Sequence, residues 1–150
     1  MEWMKDDYII SDNKGKVNVA YVHRFLSQSY WAEGIPLDVV QRSINGSLCF
    51  SVLYKEDQIG FARVITDEAT FAYLCDVFID EKHRGRGLSK WLMETVLAYP
   101  GLQGLRRFML ATRDAHSLYR QYHFVPLTFT DRWMHIHQPD AYKKQTGRFG

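Results

Sequence analysis

Two cysteines, Cys49 and Cys75, are too few for a disulfide framework. Both fall in strand-like stretches, so they read as reduced, buried thiols. Proline is sparse, and no Ser/Gly-rich, repetitive or low-complexity stretch marks a linker, which argues against a second domain. No apolar run approaches the ~20 residues of a membrane helix. The opening MEWMKDDY is too acidic and polar for a secretory leader, so we expect a cytoplasmic protein with no membrane partner. Neither sign of charge dominates. A net charge of +2 leaves no basic stripe for a phosphate backbone, so nucleic acid is not an expected partner. Two phosphate-binding signatures are missing as well: there is no P-loop ending in Gly-Lys-Ser/Thr, and Lys90 stands where a dinucleotide fingerprint needs its third glycine.

What is present is a globular composition. Hydrophobic residues make up 46% and charged residues 24% of 150 residues, enough to bury a substantial core in one domain. Aromatics reach 15%, more than such a core needs, so some should line a pocket.

Along the chain, Tyr8-Ile9-Ile10 reads as a short strand closed by Ser11-Asp12-Asn13-Lys14-Gly15. Asn18 is placed to cap a helix to about Gln28, with Val19, Val22, Phe25 and Leu26 on one face. A second helix should run to about Ile44 and close at Asn45-Gly46. Leu48, Phe50 and Val52 alternate as in a strand, and a further strand should span Ile59 to Thr66. Asp67-Glu68 turns the chain into Phe71–Ile79. Beyond a helix ending near Tyr99, Arg107–Ala111 reads as a buried strand, and Asp114 as the cap of a helix carrying Tyr119. Phe124–Leu127 and Trp133–His137 read as a closing antiparallel pair, and the polar tail from Gln138 as mobile at its end. This order predicts an α/β fold with a mixed sheet and helices on both faces.

One stretch carries chemistry. Phe71–Ile79 feeds Glu81-Lys82-His83-Arg84-Gly85-Arg86-Gly87, which opens a helix at Leu88. The first amides of a helix have no intrahelical partner, and the dipole places positive charge there. Glycines admit the backbone turns and close approach that phosphate needs, and arginines add forked donors. The pattern fits a pyrophosphate-bearing ligand. A solvated Arg-Gly turn is the alternative, and these residues alone do not decide between the two.

Lys82-His83-Arg84-Gly85-Arg86-Gly87-Leu88 resembles the acyl-coenzyme A pyrophosphate loop of the GCN5-related N-acetyltransferases (GNAT), written Gln/Arg-x-x-Gly-x-Gly/Ala. Ala115-His116-Ser117-Leu118-Tyr119, running on to Tyr122-His123-Phe124, resembles that family's later Ala-x-x-Leu-Tyr-x-x-x-Gly-Phe segment. Together they span about residues 71–127, in matching order and separation.

The resemblance implies a single GNAT domain over residues 1–150, with the strands flanking the glycine loop splayed to admit pantetheine. It implies acetyl-coenzyme A as co-substrate, no metal, and direct acetyl transfer to a small-molecule amine or an exposed amino group. Backbone amides of Arg84, Gly85, Arg86, Gly87 and Leu88, helped by Lys82 and the Ser89 hydroxyl, would hold pyrophosphate. The chain at Phe78 and Ile79 would pair with pantetheine amides. Thr112 replaces a common Asn and would shorten a pantetheine contact. Tyr119 takes the position of the general acid that protonates the departing thiolate.

The base has no clear occupant. Tyr73 and Cys75 take the acceptor-facing positions, and strand alternation turns Asp76 to the opposite face unless a bulge intervenes. His116 or Glu33 is placed to substitute. Tyr30 and Trp31, beside Glu33, would form an aromatic wall for an alkylammonium group, or simply pin their loop to the core. His123 replaces the usual glycine after the Tyr119 helix, which predicts a positive φ there. His135 and His137 share a face but lack a third ligand for a metal. A non-catalytic acyl-coenzyme A-binding sensor on the same fold remains the alternative, and the sequence leaves a homodimer open.

Overall fold

The computed structural model describes residues 1–143. Its frame is one six-stranded sheet, ordered as in the chain: β1 (Glu2–Lys5), β2 (Tyr8–Ser11), β3 (Leu48–Tyr54), β4 (Asp57–Thr66), β5 (Phe71–Ile79) and β6 (Arg107–Leu110). Neighbours run antiparallel except for β5 and β6, which are parallel and joined through a helix. The sheet is therefore mixed, as the order of elements predicts.

Helices cover both faces. On one, α3 (Leu88–Leu97) packs Leu88, Leu92, Met93 and Val96 against Phe50, Val52, Ala62, Val64, Ala72 and Leu74. On the other, α1 (Val19–Ser27) and α2 (Leu37–Asn45) set Val22, Leu26, Val40 and Ile44 against Cys49, Phe61 and Phe78. Strand alternation sorts neighbours such as Phe61 and Ala62 to opposite faces. Each fully buried Leu, Val or Phe contributes about 1.5–3 kcal/mol. Asn18 caps α1 as expected, its side chain accepting from the Tyr21 N–H at 3.0 Å. Gly46 closes α2.

Four expectations need correction. The chain begins with β1, whose only inward side chain is Trp3, packed on Phe50 and Tyr99 at ring separations of 6.3 and 6.1 Å. One inward residue leaves too little alternation to read. Asp114 does not cap α4 (His116–Arg120), whose N-cap is Ala115 with no side-chain cap bond; Thr112 only fixes the approach, accepting the Ala115 N–H at 3.0 Å. Cys75 is half-buried, whereas Cys49 is buried; both are free. Phe124–Leu127 and Trp133–His137 form no strands, and residues 125–137 run exposed. The mobile end expected of the tail falls on residues 144–150, outside the described residues.

The turn after α4 matches expectation. His123 has φ 73°, and bonds from His123 N–H to Arg120 O and from Phe124 N–H to Tyr119 O close a left-handed helix cap. His123→Gly should therefore raise stability by about 1 kcal/mol, read from the urea midpoint at unchanged slope.

Candidate active site

The register of β5 builds the site. Its ladder with β6 runs from Phe71↔Arg107 to Leu74↔Leu110 and stops, so Cys75 to Ile79 have no strand partner on that side among the described residues. They remain paired to β4 on the other, through Gly60↔Ile79 and Phe61↔Phe78. The strands thus splay below the loop; the Phe78 backbone is turned to β4 and the Ile79 backbone faces the gap.

Above the gap, Gly85 and Gly87 hold φ 80° and 76°. That left-handed geometry is strained for a side chain, and a Cβ on Gly85 would meet nothing within 4 Å, so the space in front of it is open. Gly87 caps α3 without any side-chain hydrogen bond, leaving the first-turn amides facing outward. A cleft of about 330 Å³ lies there, lined by Ile79, Arg84, Gly85, Gly87, Leu88, Ser89 and Leu118 among others. Arg84 donates from Nε to Ile79 O at 3.1 Å, which fixes the arm without closing the cleft. His83 is held by the Tyr8 hydroxyl at 2.8 Å.

Not every expected loop residue gathers here. Arg86 turns to the far side, into a smaller cleft of about 180 Å³ with Lys5, Tyr8 and Tyr54. Lys82 is exposed and lines neither.

Tyr119 lines a third cleft, of about 290 Å³, with Phe108, Leu110, Thr112, His116 and Phe124. Its ring packs edge-on to Phe124 at 5.9 Å, and its hydroxyl takes no hydrogen bond among the described residues. Burial pushes its pKa above the ordinary tyrosine value, and Tyr30 adds to the shift. Tyr30 lies edge-on to Trp31 at 5.1 Å, and the Arg113 guanidinium sits 3.8 Å from the Tyr30 ring centroid. Trp31 leads inward through Phe25 at 6.3 Å to Phe78, which stacks on Phe25 at 3.8 Å. Tyr30 and Trp31 thus form a run of rings pinned to the core.

For Asp76 the exception to strand alternation holds, because a bulge is present. The β4–β5 register slips between Phe61 and Arg63, and Asp76 takes φ 53°. This bulge swings Asp76 onto the face of Arg63 and Cys75. There Oδ2 accepts from Arg63 Nε at 2.8 Å and Oδ1 from Trp31 Nε1 at 2.9 Å. Arg63 also donates to Ser47 Oγ at 2.9 Å. With one oxygen on Arg63 and the other on Trp31, Asp76 is a structural tie more than a proton acceptor.

Glu33 is exposed and makes no hydrogen bond or ion pair with the wall among the described residues, so it is not brought in. Tyr73 and Cys75 are half-buried on the side of the wall, and burial pushes the Cys75 thiol up to about 12 against the pull of Arg63, which leaves it unreactive near neutrality. His135 and His137 stack at 5.8 Å, and no metal-binding group of three His, Cys, Asp or Glu occurs among the described residues.

A glycine-loop cleft at a helix start, beside splayed parallel strands, defines a class that comparison identifies. The model of the acetyltransferase (GNAT) family matches residues 11–124, and the chain belongs to that family. A Gibberella zeae protein that bears an acetyltransferase name is 30% identical over 138 residues, covering 78% of each chain. A crystal structure of a Xanthomonas campestris pv. campestris protein assigned to the same family superimposes with TM-score 0.89, at 50% identity over 91% of this chain and 97% of that one. A GNAT acetyltransferase from Elizabethkingia anophelis, solved with acetyl-coenzyme A bound, shares the fold at TM-score 0.60 and 14% identity, covering 79% of this chain and 76% of that one.

Proposed function

We propose that this acetyltransferase moves an acetyl group from acetyl-coenzyme A to a primary amine, on a small molecule or an exposed amino group. The carrying observation is the pairing of two openings: uncapped α3 amides on one cleft, and below it the edge of β5 beyond Leu74, where no β6 partner covers the backbone and the Ile79 N–H faces the gap. The first suits pyrophosphate and the second suits the two amides of pantetheine, which would lie as an added strand. The acetyl-coenzyme A bound to the Elizabethkingia anophelis relative supports the same donor here.

In this reading the amine nitrogen attacks the thioester carbonyl, the C–S bond breaks, and the thiolate takes a proton from the Tyr119 hydroxyl. The new amide sheds its extra proton to water. A backbone N–H in the splayed part of β5 suits the developing oxyanion. No side-chain base is assigned, because Asp76 is tied on both oxygens and the acceptor is taken to arrive unprotonated or to lose its proton through solvent.

Two measurements test this. Coenzyme A at about 100 times its Kd should stabilise the fold by about 2.7 kcal/mol. Arg84→Ala should weaken that binding by about 1–3 kcal/mol. No melting shift would remove the donor assignment. Thiol release from acetyl-coenzyme A across an amine panel should then show amine-dependent turnover; a melting shift with no turnover on any amine would favour the sensor.

A further inference from the structure

One part of the sheet lies outside both packed cores. Cys49, Arg63 and Cys75 are cross-strand partners, so they share the face that α1 and α2 cover. Further along that face, Ile65, Tyr73 and Met109 are partners across β4, β5 and β6. None of the three joins either core; Ile65 is 43% exposed, and Tyr73 and Met109 are half-buried. They make an open apolar floor where the β5–β6 ladder ends.

The charge around that floor has one sign. Asp76 holds Trp31 over this face of β5, and Tyr30 stands edge-on to Trp31. Arg113, on the loop leaving β6, lies 3.8 Å from the Tyr30 ring centroid, and these contacts set its guanidinium on the rim of the floor. Arg107, on the same face of β6, stacks on Trp133 at 4.9 Å. No carboxylate pairs with either arginine among the described residues, Asp114 beside Arg113 included. Asp76 has both oxygens on Arg63 and Trp31. An alkylammonium acceptor would meet two cations here and no free anion.

Arg113 is held in place but not satisfied. Stacking on a ring fixes a guanidinium and leaves its fork of N–H donors available. None of those donors has a hydrogen-bond partner among the described residues. The loop beneath is fixed, because Thr112 Oγ1 accepts the Ala115 N–H at 3.0 Å. Tyr30 ties the cation to the chemistry, since it also stands close enough to Tyr119 to raise the pKa of that hydroxyl. A pre-ordered, unpaired fork matches the oxygens of a carboxylate or phosphate.

We propose that the acceptor is a small primary amine that also carries an anionic carboxylate or phosphate, and that Arg113 binds that anion. The inference rests on the acetyl-transfer reading and narrows its acceptor, setting polyamines and lysine side chains aside. It also bears on the absent base. In solution the acceptor's own anion steadies its ammonium form. Once the guanidinium neutralises that anion, the ammonium loses this support and gives its proton to water more readily. The nitrogen then attacks the thioester carbonyl, the C–S bond breaks, the thiolate takes the Tyr119 proton, and Tyr119 regains one from water.

Thiol release from acetyl-coenzyme A tests this over matched amines: glycine, β-alanine and γ-aminobutyrate against their amides, and phosphoethanolamine against ethanolamine, with putrescine as the cation. At least one anionic member should exceed its neutral partner in kcat/KM by about 10–100-fold. The two arms tell carboxylate from phosphate. Arg113→Gln should bring that ratio to within about threefold of one. Arg113→Lys should restore part of it, and Arg113→Glu should turn the preference to putrescine. Melting shifts of the coenzyme A complex with the same amines give a second readout that needs no turnover. Turnover that gains nothing from an anion, or a preference that Arg113→Gln leaves intact, overturns the inference while acetyl transfer stands. Anion-dependent melting shifts that Arg113→Gln abolishes, with no turnover on any amine, keep the anion site and remove acetyl transfer. Neither shift nor turnover overturns both.

Discussion

Asp76→Ala should destabilise the fold by about 3–5 kcal/mol, the loss expected when one member of a buried ion pair is removed. The side chains of Arg63 and Asp76 are 15% and 8% exposed and meet at 2.8 Å. Without the carboxylate, Arg63 keeps Ser47 Oγ as a neutral partner and holds its charge largely out of water. Trp31 Nε1 loses its acceptor at the same time. Alanine would also sit at φ 53°, which aspartate tolerates better. Urea unfolding at neutral pH reads the change as a fall in midpoint. Asp76→Asn should cost less, since an amide oxygen still accepts from one of the two donors. Pairing Asp76→Leu with Arg63→Met should recover most of the loss, because no charge is then left unpaired. A single alanine variant within 1 kcal/mol of wild type would mean that Asp76 does not tie the wall to β5.

The same residue marks where sequence reasoning stops. Alternation along Phe71–Ile79 places Asp76 opposite Cys75, and local sequence contains nothing against it. The bulge arises because Arg63, on the neighbouring strand, needs a carboxylate on its own face, and such a pairing is visible only once β4 and β5 lie side by side. Residues whose roles are backbone-local read well. Gly85 and Gly87 are glycines because the loop passes through left-handed φ, and the positive φ of His123 follows from the helix end it closes. Asn18 caps within three residues of itself. The family loop and the Tyr119 segment were legible for that reason. What the sequence did not show is that Arg84 and Arg86 line different clefts. Residues 133–137 read as a strand, and no strand among the described residues pairs with them.

Tyr119→Phe should lower kcat by about 10²–10⁴, the usual worth of a positioned proton donor, with little change in the KM for acetyl-coenzyme A. The ring keeps its edge-on packing with Phe124, and the hydroxyl has no protein partner to lose among the described residues. Stability should therefore stay within about 0.5 kcal/mol of wild type, which separates a chemical loss from a folding loss. The pH profile tests the assignment a second way. Burial, with Tyr30 beside it, raises the Tyr119 pKa above the ordinary value near 10, so the phenol keeps its proton throughout the neutral and mildly alkaline range. An acid with a raised pKa stays competent as pH climbs. The wild-type rate should thus show no falling limb below about pH 10, and any rising limb at lower pH should belong to the acceptor amine losing its proton. That rising limb should move with the amine's own pKa and persist in the phenylalanine variant. An unchanged kcat in that variant would leave the thiolate to be protonated by water, and the hydroxyl of Tyr119 without a part in the transfer.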